Sequence, residues 1–484
     1  MEYIFKSESS LKRIEAIRKF LLGDIWLIIL AVVAFVFACL NSLYPKEDYH
    51  IWGTVVLAYM SGFSFLMSGD IFAMLTPGLF TYLIAIRCYN SLSTFLGIIW
   101  VFIPLIAIAL FNIIIYRKKL DPKGSQFKPM ILVSIVVLIG GLGFISAEDY
   151  FAGSSIYHML GMGFGMVFFY CFFNGRIQIN DKYSVIERIT KLMVVIGTFA
   201  SVMIIAHYLL NIEKMIEWGG IFYIRWRNNV CTILMIALPF AYYFAHKKMP
   251  AVILPFLFYG AMLATGSRGG MIFGTVEMGL CFLAYLIYDK KRRKAYLAFL
   301  LCVIILLVIF SGPVIDFLEY TFERVLQVLA DVSGEDGETE TRVRHYARGI
   351  EDFLNHPILG TGLGYMGNRD IFKNKDGALC WYHCEPIQIA ASFGIIGIVV
   401  FLYQFIKRIK AIWQKKTLFS LTVFLSYIGL ELMSLVNPGI LCPMPYLLLI
   451  TLFLVIIEKC HNSDIEQEPI PLFEKLKKLS KKNS

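Results

Sequence analysis

Four short clusters in the sequence place arginine, histidine or glutamate beside tight turns or helix starts. They are Arg225-Trp-Arg227-Asn-Asn229, Thr265-Gly-Ser-Arg-Gly-Gly270, the trio Arg342, Arg344 and Arg348 with His345, and Tyr382-His-Cys-Glu-Pro386. A guanidinium group keeps its charge and presents forked donors that match phosphate oxygens. Helix N-termini add backbone N–H groups that also attract anions. The clusters therefore predict a site for a phosphate or diphosphate group.

Two proton acceptors, His383 and Glu385, stand in the last cluster. Histidine is well suited to general-base chemistry near neutral pH. Plainer explanations stay open for both, because a lone histidine in a loop is commonly a surface residue and an acid before a proline suits a helix start. The arginines could likewise pair with lipid head groups or with Glu338, Glu340 and Asp352.

Long apolar helices are the elements that must position these clusters. The chain of 484 residues is 58% hydrophobic and 17% charged, whereas a soluble protein is roughly a quarter charged. Apolar runs of about 18 to 24 residues recur along the chain, and each is long enough to cross a bilayer. The first run is too long for a removable signal peptide and lacks a small-residue cleavage site. The sequence predicts an all-α polytopic membrane protein.

We predict about fourteen transmembrane helices, with twelve to fourteen as the range. They cover residues 23–42, 51–68, 71–89, 92–115, 130–147, 153–173, 192–211, 229–245, 250–265, 269–288, 295–312, 386–406, 417–436 and 443–457. Residues 1–312 would form eleven helices around a cavity for a lipid-linked substrate, and residues 386–457 would form three more. One large loop, 313–385, and a basic tail, 458–484, complete the organisation.

Charge in the short loops predicts the orientation. If successive spans alternate in direction, every strongly basic loop falls on the same side as the N-terminus. These loops include 116–129, 289–294 and 407–416. Lysine and arginine in short loops mark the cytoplasmic side, so we predict that both termini are cytoplasmic and that the loop 313–385 faces outward. Because the basic charge is divided among short loops, it favours contact with anionic lipid and argues against nucleic acid.

The predicted outer loop contains two amphipathic segments. Residues 313–330 are expected to lie as a helix in the membrane interface. An acidic stretch, 331–340, is expected to be a hinge. A second amphipathic helix follows, and the glycine turn 360–364 reverses the chain. The ten cysteines show no zinc-ligand spacing, so no metal site is predicted.

Several of these segments resemble the O-antigen ligase and O-antigen polymerase superfamily. The similar segments are His356-Pro-Ile-Leu-Gly-Thr-Gly-Leu-Gly-Tyr-Met-Gly, His383-x-x-x-x-Gln388 and Phe393-Gly-Ile-Ile-Gly-Ile-Val-Val-Phe-Leu402. Thr265-Gly-Ser-Arg-Gly is similar to the family's arginine turn, and the Arg225/Arg227-Asn segment is similar to its earlier arginine–asparagine element. The resemblance covers about 225–270 and 342–402.

The resemblance implies a GT-C-like bundle that acts as a metal-independent, inverting glycosyltransferase without a cofactor. Such proteins use glycans on undecaprenyl diphosphate at the outer face of the bacterial cytoplasmic membrane. By this likeness Arg268 and either Arg225 or Arg227 would hold the diphosphate, with the loop arginines as further ligands. His383 would be the base.

The sequence departs from the family pattern beside the predicted base. Cys384 stands where asparagine is usual and Ser392 where an acid is usual, so either His383 or Glu385 could be the base. We expect a polymerase that joins lipid-linked repeat units into O-antigen, capsule or exopolysaccharide, with a chain-length regulator and a flippase as partners. The alternatives are a ligase that transfers a finished glycan to a lipid or protein, and a flippase or other transporter.

Overall fold

Most of the residues that the computed structural model describes are helical. The described residues are 8–44, 47–85, 99–116, 119–140, 155–177, 179, 184–213, 227–309, 312, 337–363, 381–437, 439–441, 445–463 and 468–470. They contain no named strand, and one isolated bridge joins Thr417 to Pro469. The all-α prediction is confirmed.

Sixteen α-helices lie in the described residues. They are α1 (Glu8–Leu21), α2 (Asp24–Leu43), α3 (Tyr49–Ser68), α4 (Ile71–Ala85), α5 (Ile103–Tyr116), α6 (Phe127–Gly140), α7 (Ser155–Arg176), α8 (Val185–Leu210), α9 (Arg227–Lys247), α10 (Ile253–Ala264), α11 (Arg268–Tyr288), α12 (Arg293–Ile309), α13 (Gly337–Asn355), α14 (Glu385–Ile412), α15 (Leu418–Ser434) and α16 (Pro445–His461). Short 3₁₀ helices cover Ile99–Phe102, Met249–Val252 and Gly439–Leu441.

Six described helices are long and apolar enough to cross a membrane, namely α2, α3, α8, α9, α11 and α14. Each of the fourteen predicted ranges overlaps one described helix, although several of these helices are shorter than a full span. The helical membrane protein is therefore confirmed, whereas the number of fourteen spans stays a prediction.

Several predictions fall outside the described residues. These concern Arg225, the interfacial segment 313–330, residues 331–336 of the acidic stretch, and the end of the tail, 471–484. The prediction of a hinge over 331–340 is wrong for its last four residues, because α13 begins at Gly337. Glu338 and Glu340 thus stand in the first turn of a helix, where the helix dipole favours acidic side chains.

A first compact unit comprises Met1–Lys119, Gly175–Met278 and Lys294–Phe299. Polar contacts join its helix ends in two separate groups. One group is joined by the pairs Arg188–Asp70, Lys191–Asp24 and Arg18–Tyr116. The other is joined by Ser42–His207 and by the Tyr208 hydroxyl with the Ala264 carbonyl. The helix ends thus alternate between two groups, while the side of the membrane that each group faces stays a prediction.

A second compact unit comprises Leu120–Asn174, Gly279–Arg293 and Leu300–Ser484. At one group of its helix ends, Glu458 at the end of α16 accepts hydrogen bonds from the Ser125 backbone N–H at 2.9 Å and the Tyr170 hydroxyl at 2.6 Å. At the opposite group, the Leu363 N–H donates to the Gly140 carbonyl at 3.2 Å. The second unit therefore shows the same alternation.

Helix α14 is broken at Gly394, whose φ of 62° and ψ of −158° are not helical. The loop after α13 enters the break and bonds both of its sides. The N–H groups of Thr361 and Gly362 donate to the carbonyls of Ala391 and Ser392 at 2.8 and 2.9 Å. The Ile395 N–H donates to the Pro357 carbonyl at 2.8 Å. Backbone groups that leave a helical ladder in an apolar medium need such partners.

The predicted end of α14 was wrong. The helix was expected to stop at residue 406 before a basic loop, yet it continues to Ile412. Arg408 is 4% exposed because its guanidinium donates to Gln404 Oε1 at 2.8 Å and to the Tyr427 hydroxyl at 3.3 Å. Hydrogen-bond acceptors on α14 and α15 thus bind a guanidinium group that the sequence analysis had placed in a solvent-exposed loop.

We predict that Gly394→Ala destabilises the protein by about 3 kcal/mol or more, because alanine disfavours positive φ and its Cβ would overlap the Ile358 carbonyl. Thermal unfolding in detergent measures the change. Gly279→Ala in α11 is the control, since nothing lies within 4 Å of its new methyl group. Equal melting temperatures for both variants would contradict the described break.

Candidate functional site

The turn between α10 and α11 is shaped by its own hydroxyl groups. Thr265 Oγ1 donates to the Met262 carbonyl at 2.6 Å and accepts from the Ser267 N–H at 3.2 Å. Gly266 has a φ of 67°, which favours glycine. Ser267 caps α11, since its Oγ accepts from the Gly270 N–H at 3.1 Å. The turn therefore sets Arg268 as the first residue of α11.

The start of α9 is joined to this turn. The Ser267 hydroxyl donates to Asn228 Oδ1 at 2.6 Å, and Asn228 follows Arg227, the first residue of α9. Arg227 and Arg268 are both half-buried. The structure thus brings together the ends of two helices whose first residues are arginines, within the first unit. We call Arg227, Asn228, Ser267 and Arg268 the arginine-turn cluster.

Close packing explains a glycine in this cluster. A Cβ on Gly270 would overlap Sγ of Cys231, which lies in α9. Any larger residue at this position would push α11 away from α9. The two helix starts that carry the arginines would then lie farther apart. Two helix N-termini with adjacent guanidinium groups form a region that favours anions, because the helix dipoles and the fixed charges have the same sign there.

A second cluster lies in the second unit, around the segment before α14. The Tyr382 hydroxyl donates to Asp352 Oδ2 of α13 at 2.5 Å. The Tyr382 N–H donates to Gln388 Oε1 at 3.0 Å, and Gln388 Nε2 donates to Ser392 Oγ at 2.9 Å. Tyr382 is 3% exposed. The residue before His383 is therefore held at both its side chain and its backbone.

His383 itself adopts an uncommon backbone conformation, with a φ of 54°. Its carbonyl accepts from the Tyr346 hydroxyl at 3.5 Å. Its ring lies edge-on to that of His345, with 5.9 Å between ring centroids and 78° between ring planes. We call His345, Asp352, Tyr382, His383 and Glu385 the histidine cluster.

From the sequence, His345 and Tyr382 were named within the clusters but neither was given a role, and Asp352 was considered only as a partner of the arginines. His345 is fully buried. Together with Gly349 and Asp352 it follows the i, i+4, i+7 spacing of one helix face. Side chains of Tyr382 and Ile387 approach Gly349. Polar residues at helical spacing, with a glycine between them, were the signal that could have identified His345 and Asp352 as facing another segment.

Glu385 is the first residue of α14 and is 6% exposed. Its carboxylate lies directly against the backbone of Gly439, which has a φ of 55° and leaves no room for a Cβ. The plainer explanation of Glu385 as a helix-starting acid agrees with this position. The carboxylate is nevertheless enclosed by protein, which distinguishes it from an ordinary surface residue.

The arginines of α13 differ in their surroundings. Arg348 Nε lies 3.3 Å from Asp352 Oδ1, and Arg348 Nη1 lies 3.5 Å from Glu351 Oε2. For Arg348 the structure therefore shows the plainer alternative, which is pairing with an acidic neighbour. Arg344 is exposed, and Arg342 lies in the same helix.

Burial raises the pKa of Asp352 above its usual 3.8, although the Tyr382 hydrogen bond and the Arg348 charge oppose this shift. Burial also raises the pKa of the Cys384 thiol. Among the described residues, no group of three or more His, Cys, Asp and Glu side chains is arranged to hold a metal ion. The chemistry that these residues offer is anion binding at the arginine-turn cluster and proton acceptance at the histidine cluster.

Residues 251–402 match the family described as O-antigen ligase. The matched segment contains Arg268 and Ser267 of the arginine-turn cluster and every residue of the histidine cluster. The resemblance to the O-antigen ligase and polymerase superfamily is thereby confirmed for this segment. Neither the curated proteins nor the solved structures contain a match to the chain.

We predict that Ser267→Ala lowers the stability by about 1–3 kcal/mol, because it removes both the cap of α11 and the bond to Asn228. Thermal unfolding in detergent is the measurement. Ser201→Ala is the matched control, since buried Ser201 bonds only to the Gly197 carbonyl one turn earlier in its own helix. Equal melting temperatures for Ser267→Ala and the control would contradict the described contact between the starts of α9 and α11.

We predict a pH-dependent stability difference for Asp352→Asn. An acid whose pKa is raised in the folded state holds its proton more readily there, so its stabilising contribution is present at low pH and is lost as pH rises through the folded pKa. Asparagine stays uncharged. As the pH rises above about 4, wild type should therefore lose stability relative to the variant.

The readout is the difference in melting temperature between wild type and Asp352→Asn as the pH rises above this value. Glu351→Gln, at the exposed neighbour, should show no comparable slope. A difference that is constant with pH, or one that changes in the opposite direction, would contradict the buried position of Asp352.

Proposed function

We propose that the protein is a glycosyltransferase that joins lipid-linked oligosaccharide repeat units into a surface polysaccharide. The match of residues 251–402 to the O-antigen ligase family is the observation that carries this proposal. The helices suited to crossing a membrane support it, because a polyprenyl-linked substrate must be handled within a bilayer. The proposed location is the outer face of the bacterial cytoplasmic membrane, with both termini inside.

The arginine-turn cluster is proposed to bind the diphosphate of the donor. Arg227 and Arg268 supply fixed positive charge, and the first turns of α9 and α11 supply backbone N–H groups. Charge that develops on a departing diphosphate is stabilised by groups that are already in place. Arg225, Arg342 and Arg344 are further proposed ligands, and Arg348 would have to exchange its acidic partners to take this role.

The histidine cluster is proposed to supply the base. Tyr382 and Asp352 hold the backbone next to His383, so its imidazole is presented from a strained but well-supported position. Glu385 is the alternative base, or it orients His383. Both residues are anchored by short-range contacts of the second unit, which suits a group that must meet a substrate hydroxyl accurately.

The proposed reaction is an inverting displacement. The acceptor hydroxyl oxygen bonds to the anomeric carbon of the donor sugar while the bond from that carbon to the diphosphate oxygen breaks. The diphosphate leaves with the electron pair, and the hydroxyl proton passes to His383 or Glu385. No covalent enzyme intermediate, cofactor or metal ion is needed in this scheme, because the arginines neutralise the leaving group.

A ligase is the second candidate, and the wording of the matched family, O-antigen ligase, favours it. In that case the finished glycan would pass to a lipid or protein acceptor. The chemistry at the donor diphosphate is the same in both candidates, so the two clusters keep their roles. The acceptor alone separates them.

We predict that Arg268→Ala and His383→Ala each abolish long glycan chains while single lipid-linked repeats accumulate. The reason is that one variant loses diphosphate binding and the other loses proton removal. Each loss should lower the rate at least about a hundredfold. The measurement is a gel of surface polysaccharide from cells with matched membrane levels of each variant.

Arg293→Ala is the control, because this exposed arginine lies at the start of α12 and donates to the Leu286 carbonyl. It should leave the ladder of glycan lengths unchanged. Full-length polymer from both site variants would exclude the enzymatic proposal. Accumulation of free lipid-linked polymer, in place of single repeats, would identify the ligase.

A further inference from the structure

A cleft opens in the first unit between the starts of α2, α4 and α8. The space inside it, including its open mouth, is about 510 Å³. The cleft lies at the helix ends joined by Arg188–Asp70 and Lys191–Asp24, which the charge pattern predicts to be cytoplasmic.

Two cations line the cleft, and their acidic partners do not. Arg188 and Lys191 belong to the lining, whereas Asp70 and Asp24 lie outside it. Asp70 Oδ1 also accepts the Phe72 N–H at 2.8 Å, so part of its charge is used to cap α4. The Asp24 side chain is 79% exposed, and such an exposed pair is weak. The lining therefore favours an anion.

The surroundings of the mouth identify the kind of anion. Leu27, Leu30 and Val195 form apolar walls. A free phosphate or a nucleotide would gain nothing from such a surface, whereas an acyl chain would.

We propose that this cleft binds an anionic phospholipid, with its phosphodiester at Arg188 and Lys191 and its acyl chains against the apolar walls that Leu27, Leu30 and Val195 form. Basic pockets between membrane helices on the cytoplasmic side hold such head groups. The site is separate from the arginine-turn and histidine clusters and does not depend on the proposed glycosyl transfer.

Native mass spectrometry of the full-length protein in detergent tests the proposal. Dioleoylphosphatidylglycerol is the probe, and dioleoylphosphatidylcholine, with the same acyl chains, is the comparison. The anionic lipid should bind about tenfold more tightly, because two cations favour it. Equal affinities would overturn the proposal. A loss of phosphatidylglycerol binding at millimolar inorganic phosphate would also overturn it, in favour of a free-phosphate site.

Thr76→Phe fills the cleft and should remove this preference. Thr81→Phe is the matched control, since both threonines lie in α4, are half-buried and donate to the carbonyl four residues earlier, and only Thr76 lines the cleft. A retained preference in Thr76→Phe would overturn the proposal.

A second pair of variants covers the case in which Thr76→Phe does not fold. Lys191→Gln should weaken binding of the anionic lipid severalfold, whereas Lys247→Gln, at the exposed end of α9, should not. Equal affinities for this pair would overturn the proposal as well.

Discussion

The hydrogen bonds between the loop 357–362 and the broken helix α14 are the constraint on which the histidine cluster depends. A helix that breaks in an apolar medium leaves carbonyl and N–H groups that have no water to bond. Here the loop after α13 satisfies both sides of the break at Gly394. Because the loop is tied to α14, the end of α13 is tied to it as well. Asp352 can then reach Tyr382, and Tyr382 supports the backbone before His383.

Hydrogen bonds also position the arginine-turn cluster, which lies in the first unit. Ser267 caps one helix and also bonds to Asn228 at the start of another, so a single hydroxyl oxygen joins two helix starts. Each of those helices begins with an arginine. The spacing of the two helix starts is thus controlled by a cap, a glycine contact and a hydrogen bond.

Sequence reasoning located most helices and both clusters because apolar runs, helix starts and turn residues are local signals. It missed the break in α14, since Phe393-Gly-Ile-Ile-Gly397 lies within a continuous apolar run and the break depends on a loop some thirty residues earlier. It placed Arg408 in a basic loop because Tyr427, one of the two partners of this buried charge, lies on another helix. It named His345 beside the loop arginines but gave it no role, since its contact with His383 joins segments that are distant in sequence.

The central claim is that the chain itself transfers a glycan from a lipid diphosphate. The most direct measurement uses purified full-length protein in liposomes, with a labelled repeat unit on undecaprenyl diphosphate as the only substrate and with a metal chelator present. The account predicts glycosidic bonds and released undecaprenyl diphosphate in equal amounts. A labelled substrate that crosses the bilayer without any bond formed or diphosphate released would contradict the account and would indicate a transporter.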